Sequence, residues 1–430
     1  MTGMQERLAD LRQMIAAIEG KHAKNRLAVT VSPLSAEPAP KHCTIEQWAD
    51  GKLVSTPFGS HFETERLFAA HKRQGSVTIG DLRELPPDLM DALGGSEMKR
   101  VSPERWAFLD TETTGLLAPD THAFLIGVGR ITREGFRIRQ FFTRSLADEA
   151  SALVAVYRHL ADFDVLITFN GKTYDVPLLN SRYARKVQES PLERLCHFDL
   201  LHGAHRVWKR RLKNCKLTQL EREVLGFHRQ GDLASELIPY VYFEYLRSQE
   251  AERLIPVFHH NAMDILTLAC LMPIVPQIFR NPQVDALSEL GIHRGEDLFN
   301  IAGWLTAARR FQEALPLLER AAKARIPDSL LFRALWQTAT LQKKLGRLDA
   351  AMEVFDEISS CRNEFRVRAL EELAKHFERR VRDHARAAEL TRAAASIAPS
   401  ERLCRRAARL QRLISNSAKR RARRSRLTPI

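Results

Sequence analysis

The spacing of apolar residues changes character twice along the chain. Between residues 5 and 19, Leu8, Leu11, Ile15, Ala16 and Ile18 recur at helical intervals and predict one amphipathic helix. Residues 26–42, with Pro33, Pro38 and Pro40, read as a linker. Leu53–Phe62 reads as a short strand and turn. From Glu104 the rhythm becomes that of strands. Trp106–Thr111 is the first, Ala123–Ile131 (apolar, with two glycines) the second, and Phe136–Phe142 alternates as its hairpin partner across Arg133-Glu134-Gly135. Ala147–Leu160 has helical periodicity. Asp164–Phe169 is an apolar, β-rich run suited to a strand covered on both faces, and Asn170-Gly171 ends it. A helix opens at Asp175-Val176-Pro177, where Asp serves as an N-cap and Pro is tolerated in the first turn. A short strand at Cys196–Leu200 follows, then helices at Leu217–Leu225, Leu233–Leu246 and Arg253–Leu271, the last stopped by Pro273. Strands followed by alternating strands and helices predict a mixed α/β layered domain.

From about residue 283 the strand pattern stops and helical pairs repeat. Arg310–Ala314, Arg347–Ala351 and Asp383–Ala387 are alike, with alanine spacings of 351 − 314 = 37 and 387 − 351 = 36. That is close to the helix-turn-helix period of tetratricopeptide arrays; an ordinary helical bundle is the other reading. The expected organisation is an N-terminal accessory segment (1–100), an α/β domain (101–282), helical repeats (283–414) and a basic, disordered tail (415–430).

Composition narrows the class. A chain of 430 residues with 44% hydrophobic residues is long enough for two or three cored domains. No apolar run of about 18 residues suggests a membrane span, and residues 1–21 lack the apolar segment of a secretory signal. Six scattered cysteines without a Cys-x-x-Cys pair argue against structural zinc or a disulfide scaffold and favour a reducing cytoplasm. The net charge of +14, six of it between Lys419 and Arg426, implies a polyanionic partner such as nucleic acid, or simply a basic protein with a charged tail.

The candidate chemistry lies in carboxylates. Residues i and i+2 of a strand share a face, so Asp110 and Glu112 lie side by side. They repel unless a cation separates them, and a hard divalent ion wants such oxygens. Solvated acids on a sheet edge are the bland alternative. Asp175, after the buried strand, is a further acid or a plain N-cap. His260 and Asp264 are i and i+4 on one helix face, where a buried Asp among Ile265, Leu266 and Leu268 needs a partner or a metal.

Taken in order, Asp110, Glu112, Asp175 and Asp264 resemble the motifs of the DEDD exonucleases of the ribonuclease-H-like fold. Leu-Asp-Thr-Glu-Thr-Thr-Gly (109–115), Phe-Asn-Gly-Lys-Thr-Tyr-Asp (169–175) and His-Asn-Ala-Met-Asp (260–264) look most like the YprB-type branch, over about residues 105–273. The resemblance implies a metal-dependent nuclease hydrolysing DNA or RNA 3′→5′ with two Mg²⁺ or Mn²⁺ ions. Asp110 would bridge the ions, Glu112 and Asp264 would complete one site, Asp175 would serve the other, and His260 would handle the attacking water. Members carry a Tyr four residues before the last Asp or a His five before it. Here His260 stands at the tyrosine spacing and His259 at the histidine spacing; Asn261 after His260 favours His260. Thr111, Asn170, and the basic Lys209-Arg210-Arg211 are candidate nucleic-acid contacts. A non-catalytic scaffold, working through the helical repeats with a protein partner, is the second reading.

Overall fold

The computed structural model describes residues 45–89, 101–115, 120–187 and 189–425. The helix and linker expected before residue 42 lie outside them. A seven-stranded mixed sheet is the centre: β1 (Gly51–Thr56), β2 (Gly59–Ala69), β3 (Trp106–Thr113), β4 (Ala123–Ile131), β5 (Gly135–Phe142), β6 (Val165–Thr168) and β7 (Cys196–Asp199), in the spatial order β1-β2-β5-β4-β3-β6-β7. The first five strands pair antiparallel, and β3 pairs parallel with β6 and β6 with β7. Residues 51–69 were expected in an accessory segment. They are instead the edge hairpin of this sheet, with β2 paired to β5 from Phe62↔Phe142 to Ala69↔Gly135.

Helices cover both faces. α1 (Glu149–Leu160) and α2 (Asp175–Lys186) lie on one, where Leu153, Val156, Leu179 and Tyr183 pack on Ala107, Leu109 and Leu166. On the other lie α3 (Leu200–Leu212), which the sequence reading missed, α4 (Ile238–Ser248) and α5 (Ile255–Leu271). α5 crosses β4 at its two glycines. A Cβ on Gly127 would sit 2.3 Å from both Asn261 Oδ1 and Ile265 Cδ1, and one on Gly129 2.6 Å from Ile265 Cγ2. Only a strand without side chains there lets the helix come this close.

The stretch Glu252–Arg280 is long and apolar enough to cross a membrane by length and composition, which the sequence reading did not anticipate; 89% of its qualifying window is buried within the fold. Its apolar character serves the core. That core runs on without a break into the C-terminal helices: Leu266 and Val275 belong to one cluster with Leu298, Leu305 and Leu318. There follow α6 (Gly295–Ala307), α7 (Phe311–Lys323), α8 (Asp328–Lys344), α9 (Leu348–Ser360), α10 (Arg366–His376), α11 (His384–Ile397) and α12 (Glu401–Ser425), each packed on the next. The disorder expected from residue 415 is a correction: Ser415–Ser425 continue α12. The sequence explains it, because Leu403 and Leu410 anchor the helix in the packed array and no Gly or Pro interrupts it before Pro429.

Candidate active site

β3 is buried at every position except Asp110 and Glu112, which are half-buried. They share a face, as strand alternation requires. The β3–β4 register shifts between Glu112 and Thr113, a local irregularity next to the acids of the kind that re-aims side chains. The bland alternative of acids on a solvated sheet edge fails, because β3 lies inside the sheet between β4 and β6.

Asp110 is held by a polar relay across the sheet. Thr64, Gln140, Gly127 and Asp110 occupy one row of paired positions on β2, β5, β4 and β3. Gly127 leaves room for Asn261 of α5. Thr64 Oγ1 donates to Gln140 Oε1 (3.0 Å), Gln140 Nε2 donates to Asn261 Oδ1 (2.9 Å), and Asn261 Nδ2 donates to Asp110 Oδ2 (2.8 Å). Gln140 Nε2 also reaches the Phe258 carbonyl at 2.9 Å. Sequence reasoning found neither Gln140 nor Thr64, since their partnership depends on sheet register.

Asp175 is buried, and it does not serve as the N-cap: Tyr174 takes that position and Asp175 is the first helical residue. Its Oδ1 instead accepts from Thr111 Oγ1 at 2.5 Å. Thr111, a candidate nucleic-acid contact, thus has its hydroxyl committed inside the fold. The loop before Asp175 is pinned by Asp199, another residue the sequence reading missed. Asp199 accepts from the backbone N–H of Asn170 (2.8 Å), Lys172 (3.0 Å) and Leu201 (3.0 Å). Asn170, exposed and at φ 66°, makes the turn that Asp199 stabilises. Tyr174 is bonded to the Gly115 carbonyl and to Thr113.

α5 carries the rest. His260 is buried, with Nε2 3.6 Å from Asp264 Oδ2, one helical turn on. His259 points away: its Nδ1 lies 3.2 Å from Arg66 Nη1, and burial followed by the Arg66 charge lowers its pKa. The partner that Asp264 needs is Arg229, whose Nη2 pairs with it at 2.6 Å. Arg229, nearly inaccessible, also reaches Glu221 Oε2 (2.6 Å) and Asp232 Oδ2 (3.2 Å). Asp232 Oδ1 in turn lies 2.9 Å from His260 Nδ1. No spacing signal in the sequence marks Arg229 or Asp232, because the segment that carries them is irregular.

The electrostatics tie these acids into one group. Burial, then repulsion from Asp264 and Asp175, holds the Asp110 carboxyl well above the ordinary carboxylate range, against the opposing hydrogen bond from Asn261. Burial and the charges of Asp110, Asp264, Asp175 and Asp232 do the same to Glu112. Burial pushes Asp175 up to about 6, opposed by its hydrogen bond from Thr111. A cation relieves repulsion between buried carboxylates, and an all-oxygen donor set is the kind that Mg²⁺ or Mn²⁺ takes. Among the described residues no three acid, histidine or cysteine side chains stand close enough together to hold a metal ion. Asp264 is held by Arg229 instead.

The expected basic contacts divide. Arg211 is ion-paired to Asp297 at 3.0 Å, and Arg210 bonds Asn300 Oδ1 at 3.1 Å and lies over the Phe299 ring. Both arginines thereby join α3 to α6, Arg211 largely covered and Arg210 still exposed. Lys209 is exposed.

Residues 107–275 match the model of a family described as the RNase_H superfamily. The Bacillus subtilis (strain 168) protein named "Uncharacterized protein YprB" is 31% identical over 318 residues, which span 72% of this chain and 75% of that protein. Residues 107–275 are an RNase_H superfamily domain, and the chain belongs to the family of YprB.

Proposed function

We propose that the chain is a metal-dependent nuclease of the DEDD type, a 3′→5′ exonuclease that hydrolyses phosphodiester bonds of DNA or RNA. The observation that carries this reading is the electrostatic convergence of Asp110, Glu112, Asp175 and Asp264 from a strand, a helix start and a second helix, with His260 beside Asp264. Burial and the charges of Asp264 and Asp175 raise the pKa of Asp110, and burial with the charge of Asp110 raises that of Glu112, a strain that a bound cation would relieve. The four carboxylates would hold two divalent ions, which supply charge stabilisation for the attacking and leaving oxygens. Asn261 holds Asp110 in orientation, and His260 takes the proton of the attacking water at Nε2.

The C-terminal helices fit a tetratricopeptide-like array. Corresponding helices begin at Phe311, Leu348 and His384, at spacings of 348 − 311 = 37 and 384 − 348 = 36. In this reading they stiffen the nuclease domain through the shared core and offer their outer helices to a protein or nucleic-acid partner.

A panel of 3′- and 5′-labelled single- and double-stranded DNA and RNA, incubated with Mg²⁺ or Mn²⁺, tests the function. Stepwise shortening from the 3′ end, abolished by EDTA and by Asp110→Ala, is expected. Absence of cleavage across the panel, or wild-type cleavage by Asp110→Ala, refutes it.

A further inference from the structure

We propose that Asp232 is a positioning residue of this site, whose carboxylate, anchored by Arg229, holds His260 in the tautomer that turns the Nε2 lone pair toward Asp264. The inference rests on the nuclease reading for its purpose but on geometry for its content. Asp232 lies on the segment between Gly231 and the short helix Ser235–Leu237, far from any of the motifs. Its two oxygens have separate duties. Oδ2 faces Arg229 Nη1 at 3.2 Å; Oδ1 faces His260 Nδ1 at 2.9 Å and accepts from the Leu233 N–H at 3.0 Å.

Of the two carboxylates beside the ring only Asp232 is within hydrogen-bond reach, at 2.9 Å against 3.6 Å for Asp264, and its oxygens accept, so Nδ1 is the donating nitrogen. In the neutral ring Nε2 then carries the lone pair. Nε2 lies 3.6 Å from Asp264 Oδ2 and 3.3 Å from Ser235 Oγ, a hydroxyl able to donate to it. The imidazole is thus directed on one side and basic on the other, the arrangement in which a third group orients a general base. Arg229 makes the arrangement stiff, because the same guanidinium is bound to Asp264, to Asp232 and to Glu221. His260 and Asp264 are therefore registered to each other twice: through one turn of α5, and through the Asp232–Arg229 bridge.

The test uses the full-length chain with histidine-selective ¹⁵N labelling, His260 being assigned by comparison with His260→Ala. In the wild type, His260 gives the signature of the Nδ1-protonated tautomer. Asp232→Asn moves it to the other tautomer or to a mixture, and Asp232→Glu, which keeps a carboxylate on a longer arm, restores part of the original signal. In cleavage assays Asp232→Asn lowers kcat by about tenfold to a hundredfold with KM and the Mg²⁺ dependence unchanged, and adds no further loss to His260→Ala. An unchanged His260 tautomer in Asp232→Asn, or losses that multiply in the double variant, overturns the assignment. If no substrate is cleaved, the nuclease reading falls, while the tautomer measurement still decides the role of Asp232.

Discussion

Asn261 on α5 donates from Nδ2 to Oδ2 of Asp110 on β3 at 2.8 Å, through the gap left by Gly127. Helix and strand are thereby locked at the atom on which the candidate chemistry turns. Asn261→Asp is nearly isosteric but replaces the donor with a like charge. It should lower metal-free stability at neutral pH by about 1–3 kcal/mol, the range for a buried polar group left unsatisfied, and depress cleavage. Urea denaturation in EDTA measures the first effect; an unchanged midpoint would show that the relay does not constrain Asp110.

The histidine pair separates by geometry. His260 lies against Asp264 and Asp232, whereas His259 lies against Arg66. His260→Ala is expected to cost on the order of a hundredfold or more in single-turnover cleavage at saturating metal, the range for a positioned general base. His259→Ala should cost less than about tenfold, a small change in barrier. The reverse ranking would move the base to His259.

The raised acids give the metal-free protein a defined pH dependence. Asp110 and Glu112 are held well above the ordinary range, and Asp175 is moved from 3.8 to about 6. Each stays protonated in the fold at pH values where the unfolded chain has already released its proton. The folded state then binds more protons, and stability falls as pH rises through this window. Glu149 has the opposite sign: burial is outweighed by His122 and Arg182, and its carboxyl drops to about 2. Its stabilising effect is lost only below its ordinary value of 4.5, so it is constant above pH 5. His159 and His197, lowered by burial to about 4, give the opposite slope up to their ordinary value, but do so equally in wild type and variant. The wild type in EDTA should therefore lose stability relative to Asp110→Asn between pH 5 and pH 7.5, and Mg²⁺ should stabilise it more at the higher pH. Parallel pH profiles for wild type and variant would contradict this.

Arg229 is a buried cation shared by Glu221, Asp232 and Asp264. Arg229→Met preserves most of its volume and leaves these acids uncompensated. Removing one partner of a buried pair typically destabilises by about 3–5 kcal/mol. That loss is expected in metal-free thermal or urea unfolding, with partial recovery on adding Mg²⁺ or on a second change, Glu221→Gln. A variant as stable as the wild type without metal would show that the guanidinium is not the counter-ion of this cluster.

What the sequence determined by itself is what depends on neighbours along the chain. The alternation of β3, the apolar run of β6 and the 3.6-residue spacing that joins His260 to Asp264 are local, and they placed the α/β domain and four acids in order. Helical pairing after residue 283 was visible for the same reason. The tertiary structure decided everything that depends on register and docking. β2 joins the sheet because its pairing with β5 is set across more than 70 residues of intervening chain, as Thr64↔Gln140 shows. The long apolar stretch at α5 is a core helix because Gly127 and Gly129 open the sheet to it. Arg210 and Arg211 look like phosphate contacts as a basic run, yet α6 brings Asn300 and Asp297 to them. Asp232, Arg229 and Gln140 have no periodicity and no motif; only the packing of an irregular segment and a sheet row against α5 gives each of them a partner, and with it a role.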